Sequence, residues 1–174
     1  MASFATSYIP TTSASVTRDA DSAVMTGTNF SSWYNPTEST FVTAFDIPYA
    51  VPSTSGPRVL CTSDAVAESN NGQLIFSPGI TGKICAINTF SGGANGGRLD
   101  AVAANTPNAV IKAAASFALG DRQLSVNGAT PVSSAGGALP VGVDRLYIGG
   151  GATVATYLNG HIRSIVFYPS ARPG

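Results

Sequence analysis

The chain has 174 residues, of which 44% are hydrophobic and only 10% are charged, with nine basic residues against nine acidic ones. A chain of this length can bury one core, and its hydrophobic content excludes a disordered polymer. Because the charges balance, no electrostatic attraction favours nucleic acid or an anionic membrane as a partner.

The first 22 residues read as a polar arm, whose one apolar anchor is Tyr8-Ile9-Pro10. The arm lacks the basic start and the continuous apolar segment of a secretory signal, so we expect no signal peptide. No run of the sequence reaches the ~18 apolar residues that a bilayer-spanning helix needs, so we expect no membrane insertion.

The segment after the arm predicts the first strand of the domain. Residues 33–36 (WYNP) are typical of a strand end followed by a turn, since Asn before Pro favours extended or turn geometry. Residues 41–47 place every second side chain, from Phe41 onwards, on one face, which predicts a strand that Pro48 ends. Residues 49–57 are rich in Pro, Ser and Gly and are predicted to form a loop.

Further strands are predicted at intervals of about ten residues, a spacing typical of β-sandwiches. They cover residues 58–63, 73–77, 83–90 and 98–103, and another short strand covers residues 145–148. Turns between them are predicted at Asn71-Gly72 and at the glycine-rich residues 91–97.

Residues 110–119 fit two interpretations. Their alanines suit a helix, but the same residues also alternate as a strand does. Gly120-Asp121 turns directly into the next strand, so we predict a strand here as well.

The last third of the chain carries the strongest strand and turn signals. Residues 124–126 alternate and lead into Asn127-Gly128, the type of pair that most strongly predicts a hairpin turn. A second such pair, Asn159-Gly160, precedes residues 162–168, whose apolar residues do not alternate cleanly. This predicts either a bulge near Arg163-Ser164 or a strand buried on both faces.

Segments at both ends of the chain resemble known domains. The strand that ends in Asn127-Gly128, the short Leu146-x-Ile148-Gly149 strand and the closing pattern from Tyr157 to Tyr168 resemble the C-terminal half of laminin-G and concanavalin A-like domains. The run SYIPTTSASVTRDAD, followed by WYNPTESTFVTAFD, is similar to jelly-roll modules of bacteriophage and prophage virion proteins.

This resemblance implies an all-β fold, a two-sheet antiparallel jelly-roll sandwich of the concanavalin A-like lectin and glucanase type. The sandwich would cover residues 23–169 as a single domain. Residues 1–22 would form an arm with an edge strand beside the C-terminal strand, and residues 170–174 would form a tail.

The virion part of the resemblance implies a place on the surface of a capsid or tail, after synthesis in the host cytoplasm, with other virion proteins as partners. Phage adhesins of this kind are commonly trimers. The low surface charge lowers the solubility of a free monomer and favours the same conclusion. We therefore expect a homo-oligomer, most readily a trimer.

The sequence does not predict an enzyme. Glycoside hydrolysis needs two carboxyl groups ~5–9.5 Å apart across one bond. The only glutamates, Glu38 and Glu68, stand alone in turn-like contexts, while Asp19 and Asp21 lie on the polar arm. The only histidine, His161, lies in the closing strand, where we expect it to bond its strand neighbours, and no Gly-x-Ser-x-Gly elbow accompanies it.

Metal sites have little support in the sequence. A single histidine and the lack of a Cys-x-x-Cys pair exclude zinc, and Cys61 and Cys85 are predicted to be buried small hydrophobes. Calcium is an open alternative because Asp64, Asp100 and Asp144 lie at strand ends, where a hard cation finds oxygen ligands. No EF-hand-like run supports it, so we predict no resident metal.

The remaining class of function is recognition of a ligand. Domains of this kind often bind sugars, with aromatic rings stacked on the sugar and Asn, Asp or Arg bonded to its hydroxyls. The candidates are residues that predicted loops project, namely Tyr49, Asn70, Asn71, Asn95, Arg98, Tyr157 and Asn159. Several of these Asn residues also suit ordinary turns.

We predict a non-enzymatic adhesion module of a phage or phage-like particle that binds host surface carbohydrate. One alternative is a purely structural decoration or oligomerisation module without a ligand. A further alternative is a calcium-dependent lectin-like domain.

Overall fold

A computed structural model describes residues 23–49, 56–64, 71–80, 83–102, 106–151 and 157–171, without the side chains of residues 72–80, 83, 84, 88, 90 and 95. The predicted arm at residues 1–22, with Asp19 and Asp21, lies outside these ranges. Glu68, Asn70 and the last three residues of the predicted tail lie outside them too.

The described residues form eleven strands and one short helix. In chain order these are β1 (Ala23–Thr26), α1 (Thr28–Ser31), β2 (Glu38–Asp46), β3 (Arg58–Ser63), β4 (Asn71–Ile80), β5 (Lys83–Ser91), β6 (Ala94–Ala101), β7 (Ile111–Ala118), β8 (Asp121–Val126), β9 (Val132–Ser134), β10 (Arg145–Ile148) and β11 (His161–Tyr168). The predicted all-β fold is confirmed, and β3 and β10 have the predicted bounds.

The strands form two antiparallel sheets. The six-stranded sheet has the order β1-β10-β3-β4-β5-β6, and the five-stranded sheet has the order β11-β2-β7-β8-β9. Strands from the end of the chain lie beside strands from its beginning, since β11 pairs with β2 and β10 pairs with β3. The two ends of the chain are therefore needed to complete each sheet.

The core lies between the sheets and follows from the two-residue alternation of the strands. β2 and β7 turn Phe41, Phe45, Ile111 and Phe117 inward, and all four are buried. Ile87 of β5 is fully buried on the opposite side of the same core. The alanine-rich segment is a strand, as predicted, because it pairs along one edge with β2 and along the other with β8.

Two predicted local features are wrong. Residues 33–36 do not end a strand, because they follow the one-turn helix α1, and Trp33 donates from Nε1 to the carbonyl of Asn29. Asn71-Gly72 is not a turn, because Asn71 begins β4, where it pairs with Ser63 and is 1% exposed. In both places tertiary packing or strand pairing overrides the local turn preference.

The glycine-rich residues 91–97 are only partly a turn. Gly92 and Gly93 both have positive φ (56° and 79°) and join β5 to β6 as a two-residue hairpin loop. Ser91 is the last residue of β5, and residues 94–97 are already part of β6. Gly-Gly suits this loop because both central residues of a type I′ turn need positive φ.

The predicted turn at Asn127-Gly128 and the bulge in the last strand are both confirmed. Asn127 and Gly128 have φ values of 54° and 76°, and the amide of Ala129 donates to the carbonyl of Val126 at 3.0 Å. The pairing of β11 with β2 shifts register between Ile162 and Ser164, as the broken alternation predicted.

Candidate functional site

The outer faces of the two sheets differ in chemistry. On the five-stranded sheet the central outward positions of β2 and β7 are Val42, Ala44 and Ala114, all half-buried. Val166 of β11 continues this apolar row, since it pairs with Val42. Among the described side chains of the six-stranded sheet, Arg98 and Asp100 of β6 and Arg145 of β10 are instead charged and partly exposed. A polar ligand therefore finds more hydrogen-bonding partners on the six-stranded sheet.

Strand pairing gathers amide-bearing residues at one side of that sheet. Asn71 of β4 pairs with Phe90 of β5, which pairs with Asn95 of β6. In the adjacent row, Asn88 of β5 pairs with Arg98 of β6. Three residues predicted from separate loops, Asn71, Asn95 and Arg98, therefore occupy neighbouring positions on adjacent strands.

Two partly exposed side chains of this region form an ion pair on β6. Arg98 Nε lies 2.5 Å from Asp100 Oδ1, and the two side chains are 29% and 14% exposed. Both project outward because the intervening Leu99 packs against the core. Among the described residues the pair uses only Nε of the guanidinium, which leaves the Nη1 and Nη2 groups for other acceptors. We call Arg98 and Asp100, together with the neighbouring strand positions 88 and 95, the β6 patch.

A β-bulge sets the direction of these side chains. Between the pairs Asn88–Arg98 and Phe90–Asn95, the single residue Thr89 of β5 faces both Gly96 and Gly97 of β6. Gly97 has a φ of 94°. A bulge of this kind shifts the alternation by one residue, so it decides which residues of β6 face outward.

A buried arginine from the other sheet holds this bulge. Arg122 of β8 is 2% exposed, and its Nη1 donates to the carbonyl of Gly97 at 2.7 Å and to Thr89 Oγ1 at 2.9 Å. Its Nε donates to the carbonyl of Gly136 at 2.9 Å. Burial lowers the pKa of the Arg122 guanidinium from its usual value, since the charge loses water. The contacts of Arg122 with these described residues are all to neutral oxygens.

The opposite side of the six-stranded sheet carries a second ion pair. Arg145 of β10 binds both carboxylate oxygens of Asp144, at 2.7 and 3.2 Å. This contact lowers the pKa of Asp144, and together with Tyr147 it raises the pKa of Arg145. Strands β3, β4 and β5 lie between β10 and β6. At ~4.8 Å between neighbouring strands, the distance across the sheet from this pair to Arg98 is about 19 Å.

The other predicted sugar-binding residues lie at the opposite end of the sandwich from Asn71 and Asn95. Tyr49 follows β2 and packs against the core, which raises the pKa of its hydroxyl by burial. Tyr157 is 42% exposed and lies beside Gly150, and Asn159 has a left-handed φ of 42°. The structure thus divides the predicted residues between two regions, while Asn70 lies outside the described ranges.

Sequence reasoning missed a polar cluster at that end, on the outer face of the five-stranded sheet. The buried carboxylate of Asp46 accepts from Arg163 Nε at 2.7 Å through Oδ2, and its Oδ1 lies 2.9 Å from His161 Nδ1. His161 and Arg163 are 57% and 56% exposed, whereas Asp46 is 3% exposed. The missed signal was the bulge, which was predicted correctly but not connected to Asp46.

This cluster lowers the pKa of Asp46 despite its burial. Loss of water favours the neutral acid, but the hydrogen bonds and positive charges of His161 and Arg163 favour the carboxylate more strongly. The predicted role of His161, a strand residue bonded to its neighbours, is therefore confirmed.

The structure shows how the predicted metal candidates are placed. Asp100 and Asp144 each pair with an arginine. Within the described ranges no group of three or more His, Cys, Asp or Glu side chains is arranged to hold a metal ion. Cys61 and Cys85 are buried and are not joined in a disulfide, and burial raises the pKa of the Cys85 thiol to about 12. None of the helical residues described here is part of a segment long and apolar enough to cross a membrane.

The fold is similar to those of several solved structures. The CBM40 domain of the IT-sialidase of Ruminococcus gnavus, bound to α2,3-sialyllactose, superposes with a TM-score of 0.63 at 17% identity, covering 79% of this chain and 79% of that one. Domains LG4-5 of the mouse laminin α1 chain give a TM-score of 0.61 at 11% identity, covering 86% of this chain and 40% of that one. Sheep galectin-11, in complex with glycerol, gives 0.52 at 11% identity, covering 87% and 100%.

Comparison of the sequence with protein-family models and with curated proteins finds no match. At these identities the structural likeness concerns the fold alone. The strand order, the antiparallel pairing and the three superpositions agree with the fold predicted from the sequence. The chain is an antiparallel jelly-roll sandwich of the type found in concanavalin A-like lectins, laminin-G domains and carbohydrate-binding modules.

Proposed function

We propose that this chain is a non-catalytic glycan-binding module whose ligand lies on the β6 patch. The observation that carries the proposal is the partly exposed Arg98–Asp100 ion pair of β6, in which Arg98 is paired across the sheet with position 88 of β5. The similarity to a carbohydrate-binding module and to a galectin supports the same class of ligand.

The chemistry of the pair suits a sugar. Neighbouring hydroxyls of a sugar ring both donate and accept hydrogen bonds, and Asp100 supplies acceptors where Arg98 supplies donors. The Nε–Oδ1 contact holds the guanidinium in place before a ligand arrives. Less side-chain freedom is then lost on binding, which favours affinity.

Binding without hydrolysis is proposed because the neighbouring strands lack a second carboxyl group. Neither β4 nor β5 contains Asp or Glu, and Asp100 already pairs with a guanidinium. Both glycosidase mechanisms that use an acid pair require two carboxyl groups across the scissile bond.

A glycan array with purified protein tests this function. The array should carry neutral and sialylated oligosaccharides, because one structural neighbour is bound to sialyllactose. We expect retention on a subset of glycans and a loss of about tenfold in affinity for Arg98→Gln, the equivalent of one hydrogen bond to a charged group. The matched control is Arg145→Gln, which removes the same charge from another carboxylate-paired arginine of the same sheet.

Each outcome is informative. Absence of binding to any glycan contradicts the function. If Arg145→Gln weakens glycan binding and Arg98→Gln does not, the site lies on the β10 side of the sheet, which contradicts its proposed place. Equal effects of the two variants would contradict the place as well.

The setting of the module is a separate matter. The comparisons support a glycan as the partner but do not connect the chain to phage particles. Its location in a virion and its assembly as a homo-oligomer, most readily a trimer, stay predictions of the sequence resemblance.

A further inference from the structure

We propose that the outer face of the five-stranded sheet is an interface with a second copy of this chain. The two copies stack face to face around a two-fold axis that runs across the strands. Three features carry the proposal, namely the apolar centre of the face, the opposite charges at its two ends and its area. The proposal does not depend on glycan binding, because the β6 patch lies on the other sheet.

The centre of this face is apolar although it points away from the core. A sheet that shows one face to water normally alternates apolar residues inward with polar residues outward. Val42 and Ala114 pair with each other and face outward, between the buried inward residues of β2 and β7. Val166, which pairs with Val42 on its other side, is 43% exposed. An apolar row therefore crosses three adjacent strands on the outside of the molecule.

The charges of this face are separated along the strands. At one end Lys112 of β7 is exposed and pairs with Ala44. At the other end Ala118 of β7 pairs with Glu38 of β2 on one side and with Asp121 of β8 on the other. Lys112 and Ala118 are six residues apart, which is about 20 Å at ~3.4 Å per residue. A cation therefore lies at one end of the face and two carboxylates lie at the other.

The contacts within one copy do not neutralise these carboxylates. Among the described residues, Asp121 accepts from Gln123 Nε2 at 3.0 Å and Glu38 accepts from the amide of Ala171 at 3.1 Å, and both donors are neutral. At the opposite end Arg163 is paired with the buried carboxylate of Asp46, which also contacts His161. The positive charge of Lys112 is not part of that cluster.

This distribution of charge is self-complementary. A two-fold axis that lies between the two faces and runs across the strands turns the second copy end for end, so the two β7 strands run in opposite directions. Lys112 of one copy then lies over Ala118 of the second copy. Glu38 and Asp121 of the second copy flank that position, each one strand spacing of ~4.8 Å to the side. The symmetry forms the same contact twice.

The charges also select this axis over the alternative. A two-fold axis along the strands would place Lys112 over the positive end of the second copy and the carboxylates over carboxylates. Like charges that face each other across an interface are strongly unfavourable. Only the axis across the strands brings opposite charges together at both ends.

The face is large enough for a specific contact. Its four longer strands, β11, β2, β7 and β8, cover about 19 Å at ~4.8 Å each, and the eight residues of β7 cover about 27 Å. These lengths give about 500 Å² per copy and about 1,000 Å² in total, the lower limit of a specific interface. The chain has no net charge, so two copies do not repel each other at long range. We expect a reversible dimer with a roughly micromolar dissociation constant.

This dimer differs from the trimer that the sequence resemblance implied. A two-fold contact uses the same surface of both copies, so it is complete when two copies have met. The size of the assembly in solution therefore distinguishes the two.

Sedimentation velocity of the full chain over a range of protein concentrations tests the proposal. We expect an equilibrium between monomer and dimer, with a dissociation constant that is higher in about 0.5 M salt than in about 0.05 M salt, because salt screens the charges. A monomer at every concentration, or a trimer, would overturn the proposal.

Charge reversal tests the predicted contact itself. Lys112→Glu places a carboxylate between two carboxylates at both contacts, and we expect it to weaken the dimer by about a hundredfold, about tenfold for each contact. Asp121→Lys should weaken the dimer for the same reason. The matched control is Arg145→Glu, a charge reversal on the six-stranded sheet, which should leave the dissociation constant unchanged. Far-ultraviolet circular dichroism checks that each variant is folded.

A mixture of the two variants gives the sharpest result. In a mixed dimer, Lys112 of the Asp121→Lys copy meets Glu38 and Asp121 of the Lys112→Glu copy, which restores one native contact. The mixture should therefore form more dimer than either variant alone at the same total concentration. A mixture that forms no more dimer than its components, or an unchanged dissociation constant in Lys112→Glu, would overturn the proposal even if the wild type forms a dimer. A glycan array result of either sign leaves this test unaffected.

Discussion

Substitution of Gly137 tests the packing around Arg122, which determines the shape of the β6 patch. Gly137 has a φ of 98°, and a Cβ atom there would overlap the carbonyl oxygen of Gly96 and lie 2.8 Å from Arg122 Cζ. Gly128 offers a matched comparison, because its φ is 76° and a Cβ there would meet nothing within 4 Å. Comparison of Gly137→Ala with Gly128→Ala therefore separates the cost of steric overlap from the cost of a left-handed backbone conformation.

The expected difference follows from the contacts. A left-handed L-residue costs roughly 1–2 kcal/mol, and this is the whole destabilisation expected for Gly128→Ala. In Gly137→Ala the new methyl also displaces the Arg122 guanidinium or the Gly96 backbone, and loss of one of the bonds of Arg122 adds about 1.5–3 kcal/mol. We expect about 2.5–5 kcal/mol in total for Gly137→Ala.

Urea unfolding, monitored by far-ultraviolet circular dichroism, gives the free energy of unfolding of both variants. The two values are comparable if the slopes of the transitions agree. Amide hydrogen exchange at Gly97 and Arg98 gives a second reading, since the bulge should open more often in Gly137→Ala. Equal losses of stability in the two variants would refute the idea that Arg122 and its glycine neighbours are tightly packed.

The remaining predictions concern the cluster of Asp46, His161 and Arg163. Asp46→Asn should be less stable than wild type at neutral pH, and the difference between their free energies of unfolding should become smaller in acid. Because the pKa of Asp46 is lowered in the folded state, its contribution is present above the unfolded value of about 3.9 and is lost as pH falls through the folded pKa. Urea midpoints at a series of pH values check this, and a gap that stays constant down to the lowest pH would contradict it. Gly160→Ala should also be destabilising, because its Cβ would overlap the carbonyl oxygen of Asp46. This cost does not come from backbone conformation, since Gly160 has no positive φ. A melting temperature equal to that of wild type would contradict the contact.

The sequence by itself determined the features that depend on neighbouring residues. The turn at Asn127-Gly128 follows from the tolerance of this pair for positive φ, and the broken alternation of residues 162–168 predicted the bulge as one of two alternatives. The pattern of residues 110–119 fitted both a helix and a strand, and the adjacent turn at Gly120-Asp121 decided correctly for the strand β7, which buries Ile111 and Phe117 on one side. These signals lie within a few residues of one another, so no tertiary contact is needed to recognise them.

Only the tertiary structure decided what the glycines and charged residues do. Gly97 was predicted to be part of a turn, but the structure places it, like Gly137, against the Arg122 guanidinium that arrives from the other sheet. Asn71 has the local preference of a turn and became a buried strand residue, because pairing with both neighbouring strands satisfies its backbone. Asp46 meets His161 and Arg163 across more than a hundred residues of sequence. Such contacts depend on which strands become neighbours in the sheets, and strand order is a property of the whole chain that no local pattern contains.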